Sequence, residues 1–485
     1  MRIVGPVIAS AALFVLSFPN FSIWPLSFVC LVPFFIALNR AVSLRGQAAI
    51  GAAWGAVMSA GMGWWLVGTL MGHFEKGPVV SVLFVAAVMA VPTAALYAIF
   101  AVIHHTLKKN TIFFSAVMVP SIWTAVEYIK EMVPFLLPWA GIGYAVTPFN
   151  AFIQMADTAG YYGVTFVIVM INSLIAYSLR SAEWREIFSK NRAEIPGRLK
   201  KTASDNRLPL SIAAAALLVP LLYGAVFGIF FRDRIETGPK PDAIEAVLVQ
   251  GNLGDRERWA DSGLFGRIET HLGLMKDYGR TGRTLFVLPE TVLNSTGQEN
   301  NALLAYISSR SGDDSVVFIG GIRRDRATGG VLNTAYVLSG KELTCYDKNI
   351  LLPYAETIMG GDFIGKYYNA PSEFLEGATP PAVRTGFGNA GVCICFEVLY
   401  PWHVRRAVSE GALYLVNISN DSWFGRSPES AYQVSASVMR AVENRRYLAR
   451  TSNSGISVLV SPSGRVIAET GLFTREARSG RIFPV

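Results

Sequence analysis

The sequence predicts an α-helical polytopic membrane domain followed by an α/β domain, and three observations carry that expectation. Of the 485 residues, 52% are hydrophobic and only 16% are charged, a balance too apolar for an ordinary soluble enzyme. The charge is also uneven: uncharged runs fill the first 230 positions, and most acidic and basic residues follow. From about Pro241 onward, short apolar runs alternate with amphipathic stretches at helical spacing, the pattern of one α/β domain with a layered core.

The apolar segments lie near residues 4–19, 21–39, 47–72, 79–103, 112–130, 159–179 and 208–231. Most reach the ~20 residues that a bilayer span needs, so about seven helices are expected within residues 1–231. Arg2 and the first apolar run resemble a signal peptide, but no clear small-x-small site precedes the second span. The first helix is therefore expected to stay uncleaved. Arg40 and Arg45, then Lys108 and Lys109, then the basic link from Arg180 through Lys190, Lys200 and Lys201 to Arg207 fall in alternate loops. The positive-inside rule assigns those loops to the cytoplasm, which puts residues 232–485 on the opposite side. The stretch from Phe135 through Pro138 and Trp139 to Tyr144 is apolar, aromatic and proline-broken. It reads as an interfacial anchor, or as a surface where lipid approaches the outer domain.

In the second half, strands are expected at 243–249, 284–288, 316–320, 334–338, 343–346, 391–395 and 412–418, with two more flanking the Ser461–Gly464 turn. Helices are expected near 263–279, 299–310, 401–410 and 428–450. Three of the strands run into polar residues: Leu288-Pro289-Glu290, Tyr346-Asp347-Lys348 and Ile394-Cys395-Phe396-Glu397. Strand ends converge on the functional crevice in layered α/β folds, and carboxylate, ammonium and thiol are the parts needed for acyl transfer. A carboxylate takes the thiol proton, and a lysine stabilises the thiolate and the oxyanion that follows. Cys395 lies on the bend before a helix starting at Pro401, and that N-terminus is expected to lower its pKa. Cys393 and Cys395 would share one face of their strand; as an alternative, both are small buried core residues.

Other signals are weaker. The net charge of +8 makes no case for nucleic acid, because much of it lies in loops between apolar segments. Cys30, Cys345, Cys393 and Cys395 form no disulfide framework, and the CxC lacks a second ligand pair, so no metal is expected. Gly360-Gly361-Asp362-Phe363-Ile364-Gly365-Lys366 mimics a P-loop, but Tyr367 stands where a magnesium-binding Ser/Thr belongs. Its glycines fit a mobile loop beside the site instead.

The motifs at Glu290, Lys348 and Cys395 resemble the Glu–Lys–Cys triad of the carbon–nitrogen hydrolase (nitrilase) superfamily. With the membrane segments in front, nearly the whole chain resembles the apolipoprotein N-acyltransferase family. Further matches are Val249-Gln250-Gly251-Asn252 with Trp259, Asn333-Thr334, the run from Lys348 to Glu356, Asn417 to Phe424, and Pro138-Trp139 with Gly143-Tyr144. The resemblance implies a four-layer αββα sandwich on the periplasmic side of the bacterial cytoplasmic membrane. By position, it makes Glu290 the general base, Cys395 the nucleophile and Lys348 the oxyanion stabiliser. Glu356, Glu397, Asn333, Trp259, Phe396 and Trp423 become supporting or substrate-binding positions.

The implied reaction passes a fatty acyl chain from a phospholipid donor, through a Cys395 thioester, to the N-terminal α-amine of a diacylated apolipoprotein. No cofactor is implied, the other partner is membrane lipid, and a monomer is expected. Two departures from the family pattern are Phe396, where tyrosine is common, and the lack of an apolar run at 481–485, where an eighth membrane helix is usual. The alternatives are a membrane-tethered amidase using the same three residues and a non-catalytic scaffold. Seven spans argue against the first, and an intact triad against the second.

Overall fold

The computed structural model describes residues 4–133, 136, 138–179, 207–237, 243–254, 263–279, 282–295, 299–357 and 374–485. The chain forms two compact units, Met1–Val226 and Phe227–Val485. In the first, all seven apolar segments are helical. Among the described residues, Pro78–Leu107, Ala156–Ser178 and Arg207–Phe230 are long and apolar enough to cross a membrane. A fourth span results if Leu44–Gly63 and Trp65–Gly72, bent by 50°, count as one. Two expected spans differ from straight helices. Val4–Ser17 is short, and the second segment breaks into Trp24–Phe28 and Val32–Arg40, each with a proline at its start. Proline fits the first turn of a helix but removes the donor needed to continue one.

An aromatic cluster fills this unit. The Trp54 ring lies 5.4 Å from Trp123 and 4.7 Å from Tyr97. Gly51 lets two helices touch there, since a Cβ would fall 2.1 Å from the Tyr97 carbonyl. The stretch read as an interfacial anchor is, in its described part, buried inside the unit. Trp139, Ile142 and Tyr144 are buried, and Tyr144 stacks on Tyr161 at 4.4 Å. The cause is Glu127, whose carboxylate accepts from Ile142 N at 3.1 Å, Trp123 Nε1 at 3.1 Å and Thr165 Oγ1 at 3.0 Å. A buried carboxylate needs such donors, and here one of them is the segment's own backbone.

The second unit holds two six-stranded mixed sheets. Its strands are β1 (Ile244–Gln250), β2 (Thr284–Val287), β3 (Ser315–Arg324), β4 (Val331–Ser339), β5 (Glu342–Asp347), β6 (Ala382–Thr385), β7 (Gly388–Ile394), β8 (Tyr414–Ser419), β9 (Leu448–Ser452), β10 (Val458–Val460), β11 (Val466–Glu469) and β12 (Glu476–Ile482). The sheet orders are β12-β1-β2-β3-β4-β5 and β11-β10-β9-β8-β7-β6. Each has parallel strands in the middle, β1-β2-β3 and β7-β8-β9, which is why these read as continuous apolar runs. The sheets face each other through β1 and β9. Helices Leu264–Met275 and Glu299–Ser311 cover the first sheet, and Pro401–Ser409 and Glu429–Asn444 cover the second. This is the expected four-layer αββα sandwich. The expected helix 428–450 stops earlier, because Arg445 takes a left-handed conformation at φ 50° and β9 follows.

Candidate active site

β2, β5 and β7 deliver the three candidate residues. Past the end of β2 the chain stays fastened to β3, with Leu288 N donating to Phe318 O at 2.8 Å and Gly320 N to Pro289 O at 2.9 Å. Glu290 N then donates to Ser419 O of β8 at 3.3 Å, so this carboxylate sits where the two sheets meet. Lys348 continues the β4–β5 ladder, its N donating to Asn333 O at 2.8 Å. Cys395 is the first residue past β7 and has φ 55°, a conformation rarely adopted without glycine and a recurrent source of strain at functional sites.

All three side chains are buried, Lys348 to 1% exposure and Glu290 and Cys395 to 6% each. Lys348 Nζ lies 2.7 Å from Glu356 Oε2 and 3.5 Å from Glu290 Oε1. Asn333 Nδ2 donates to both carboxylates, at 2.7 Å to Glu290 Oε1 and 2.9 Å to Glu356 Oε1. Glu356 is fixed in turn by Leu352 N at 2.8 Å. Burial works against the Lys348 charge, but Glu356 and Glu290 outweigh it and hold the ammonium above its ordinary range. The Phe396 ring lies under that ammonium, with Nζ 5.5 Å from the ring centroid, a cation–π contact that needs no hydroxyl.

Cys395 departs from expectation. Its thiol is pushed up, not down, by burial first and by Glu290 second, with Lys348 opposing. The reason is local. A one-turn helix, Cys395–Leu399, intervenes before the helix at Pro401, and a macrodipole acts only within its terminal turn. Glu290 is electrostatically coupled to the same sulfur.

Glu397 is fully buried and ties two strand ends together. It accepts from Ile394 N at 2.7 Å beside Cys395, and from Asn349 N at 2.7 Å, Ile350 N at 2.9 Å and Tyr346 OH at 2.9 Å beside Lys348. His403 meets the same Tyr346 hydroxyl at 3.1 Å. Trp423 is half-buried on the turn Ser422–Phe424 beyond β8. Trp259 and the glycine loop 360–368 lie outside the described residues.

Sequence reasoning gave no role to a further set of groups around Cys395, although Asn417 and Asp421 lie in the matched run Asn417 to Phe424. Asn417 Nδ2 donates to Cys395 O at 3.0 Å, Arg450 Nη2 pairs with Asp421 at 2.8 Å, and Gln433 Nε2 points at Cys395 Sγ from 4.0 Å. Nothing in the spacing marks Arg450 and Gln433, because they sit on β9 and a helix that only the tertiary fold brings to Asp421 and the thiol.

Gly320 gives a direct test of this geometry. A Cβ there would fall 2.4 Å from Glu290 Cα and 2.6 Å from Pro289 O, both backbone atoms that cannot rotate away. Gly320→Ala should cost about 1–3 kcal/mol of stability. It should also lower turnover by roughly 10²-fold, the typical effect of a 1 Å misplacement. Thermal melting and turnover of the purified variant check both; full activity would mean that Glu290 does not need this register.

The comparisons with known proteins agree along the length of the chain. Residues 10–174 match the family model of the apolipoprotein N-acyltransferase N-terminal domain, and residues 246–482 match that of carbon-nitrogen hydrolase. The apolipoprotein N-acyltransferase of Geobacter metallireducens is 27% identical over 486 residues, covering 98% of this chain and 88% of that one. That of Haemophilus influenzae is 25% identical over 511 residues, with the same coverage of both chains. Among solved structures, Saccharomyces cerevisiae Nit3, a member of branch 10 of the nitrilase superfamily, aligns at 19% identity and a TM-score of 0.39, covering 52% of this chain and 92% of that one. With both of its units matched in order and relatives aligned over 98% of its length, the chain belongs to the apolipoprotein N-acyltransferase family.

Proposed function

We propose that this enzyme is a phospholipid:apolipoprotein N-acyltransferase acting in lipoprotein maturation. Residues 1–231 form its membrane domain of about seven helices, and residues 232–485 its catalytic domain on the periplasmic side. The observation that carries the reading is the meeting of Glu290, Lys348 and Cys395, with Lys348 Nζ within 3.5 Å of Glu290 and both residues electrostatically coupled to the sulfur.

Glu290 takes the thiol proton, and the thiolate attacks the ester carbonyl of a phospholipid. Lys348 stabilises the oxyanion; Glu356 and Asn333 keep its ammonium and the Glu290 carboxylate in register. The carbon–oxygen bond breaks, Glu290 returns the proton to the leaving alkoxide, and a lysophospholipid departs from a Cys395 thioester. In the second half the neutral α-amine of a diacylated apolipoprotein attacks. Free α-amines titrate at about 7.7–8.0, so a usable fraction is unprotonated near neutrality. Glu290 takes the amine proton, the carbon–sulfur bond breaks, and the proton passes to sulfur. A thioester suits both halves, since sulfur is a good nucleophile and a good leaving group.

Incubation with a phospholipid labelled in its acyl chain, followed by peptide mapping, tests the first half. The label should sit on Cys395. Label on another residue, or none on folded protein, would contradict the assignment.

A further inference from the structure

Gln433 and Glu429 lie one turn apart on helix Glu429–Asn444, and both are fully buried. Gln433 Nε2 has two hydrogens and meets two acceptors: Glu429 Oε1, at a short contact, and Cys395 Sγ at 4.0 Å. Each side chain also has one oxygen, Gln433 Oε1 and Glu429 Oε2, that makes no hydrogen bond among the described residues. A buried polar pair left incomplete this way is costly unless it serves something nearby, and the nearest reactive atom is the thiol. Glu429 is held well above the ordinary carboxylate range, by burial first and by Asp421 second.

We propose that Gln433 is a catalytic hydrogen-bond donor to the Cys395 sulfur when that sulfur is negatively charged, and that Glu429 positions its amide. This rests on Cys395 being the nucleophile. The sulfur carries charge twice in the cycle, on losing its proton to Glu290 and again when the carbon–sulfur bond breaks. Two carboxylates, Glu356 and Glu290, already draw on the three N–H donors of Lys348, so a second donor to the sulfur adds to what the remaining one supplies. The amide closes from 4.0 Å as charge develops, since hydrogen bonds to ionised acceptors are shorter and about twice as strong as neutral ones. Its own neutrality leaves the proton balance between Cys395 and Glu290 unchanged.

The test is the rate at which iodoacetamide alkylates Cys395 at one fixed pH in the purified full-length protein, localised by peptide fragmentation. Only the thiolate reacts, and no lipid substrate is involved. Gln433→Leu, close in volume and apolar, should slow alkylation by about tenfold, the worth of one bond to a charged group. Glu429→Gln, which keeps an oxygen to accept from the Gln433 amide, should not slow alkylation by more than about twofold, whereas Glu429→Leu should slow it like Gln433→Leu. Melting curves establish that each variant is folded, and Gln433→Met repeats the test should the leucine variant fail to fold. Alkylation at the wild-type rate in a folded Gln433→Leu or Gln433→Met protein would overturn the proposal. A misassigned nucleophile would show separately, as acyl transfer that survives in Cys395→Ala.

Discussion

Replacing Cys395 with alanine should abolish acyl transfer, by on the order of 10⁴-fold or more as for other covalent nucleophiles, while Cys393→Ala should leave most of it. The two thiols are close in sequence, yet the bend at Cys395, with φ 55°, breaks the strand alternation that would have put them on one face. Their surroundings differ accordingly. Cys395 is coupled to Glu290 and Lys348, whereas Cys393, inside β7, is coupled to Glu397 and Arg440. Burial, and Glu397 after it, hold the Cys393 thiol well above its ordinary range, so it is a small apolar core group. Its truncation should cost about 1 kcal/mol through lost packing. Acyl-transfer rates and melting temperatures of both variants check this; an inactive but folded Cys393→Ala would mean that the wrong thiol has been chosen.

The three residues proposed as the triad were legible because each ends an apolar run. Thr284–Leu288, Leu343–Tyr346 and Gly391–Ile394 announce themselves by composition, and a charged or sulfur residue at the end of such a run stands out. The strands that went unread lack that contrast. Glu476–Ile482 carries Glu476, Arg478 and Arg481 and pairs with β1 at the sheet edge, where water solvates its outer face. Leu448–Ser452 includes Arg450, which is tolerated inside because Asp421 pairs with it and Asn417 Oδ1 accepts from it. Ala382–Thr385 is four residues on an edge, too short for any period to emerge.

The lowered thiol pKa was misjudged for a related reason. Sequence shows the helix-starting proline but not the depth of burial, and desolvation outweighs a distant dipole. In the membrane unit, likewise, Glu127 looks like an ordinary helix residue until the fold brings Ile142 N and Tyr161 to it. Spacing reports periodic faces; it does not report which distant backbone donors a buried charge will find.

What separates a transferase from a hydrolase is the fate of the thioester, since both would form one. In the proposed reaction, the buried setting of Cys395, Lys348 and Glu290 keeps water from the carbonyl until an amine arrives, and the apolar acyl chain adds to that exclusion. The decisive measurement is therefore to load the purified enzyme with acyl-labelled phospholipid, wash it, and follow the label over time. The acyl-enzyme should persist without acceptor and discharge on addition of a diacylated lipopeptide with a free N-terminus, while the N-acetylated lipopeptide leaves it intact. Rapid release of free fatty acid with no acceptor present would contradict the transferase and favour a membrane-tethered amidase.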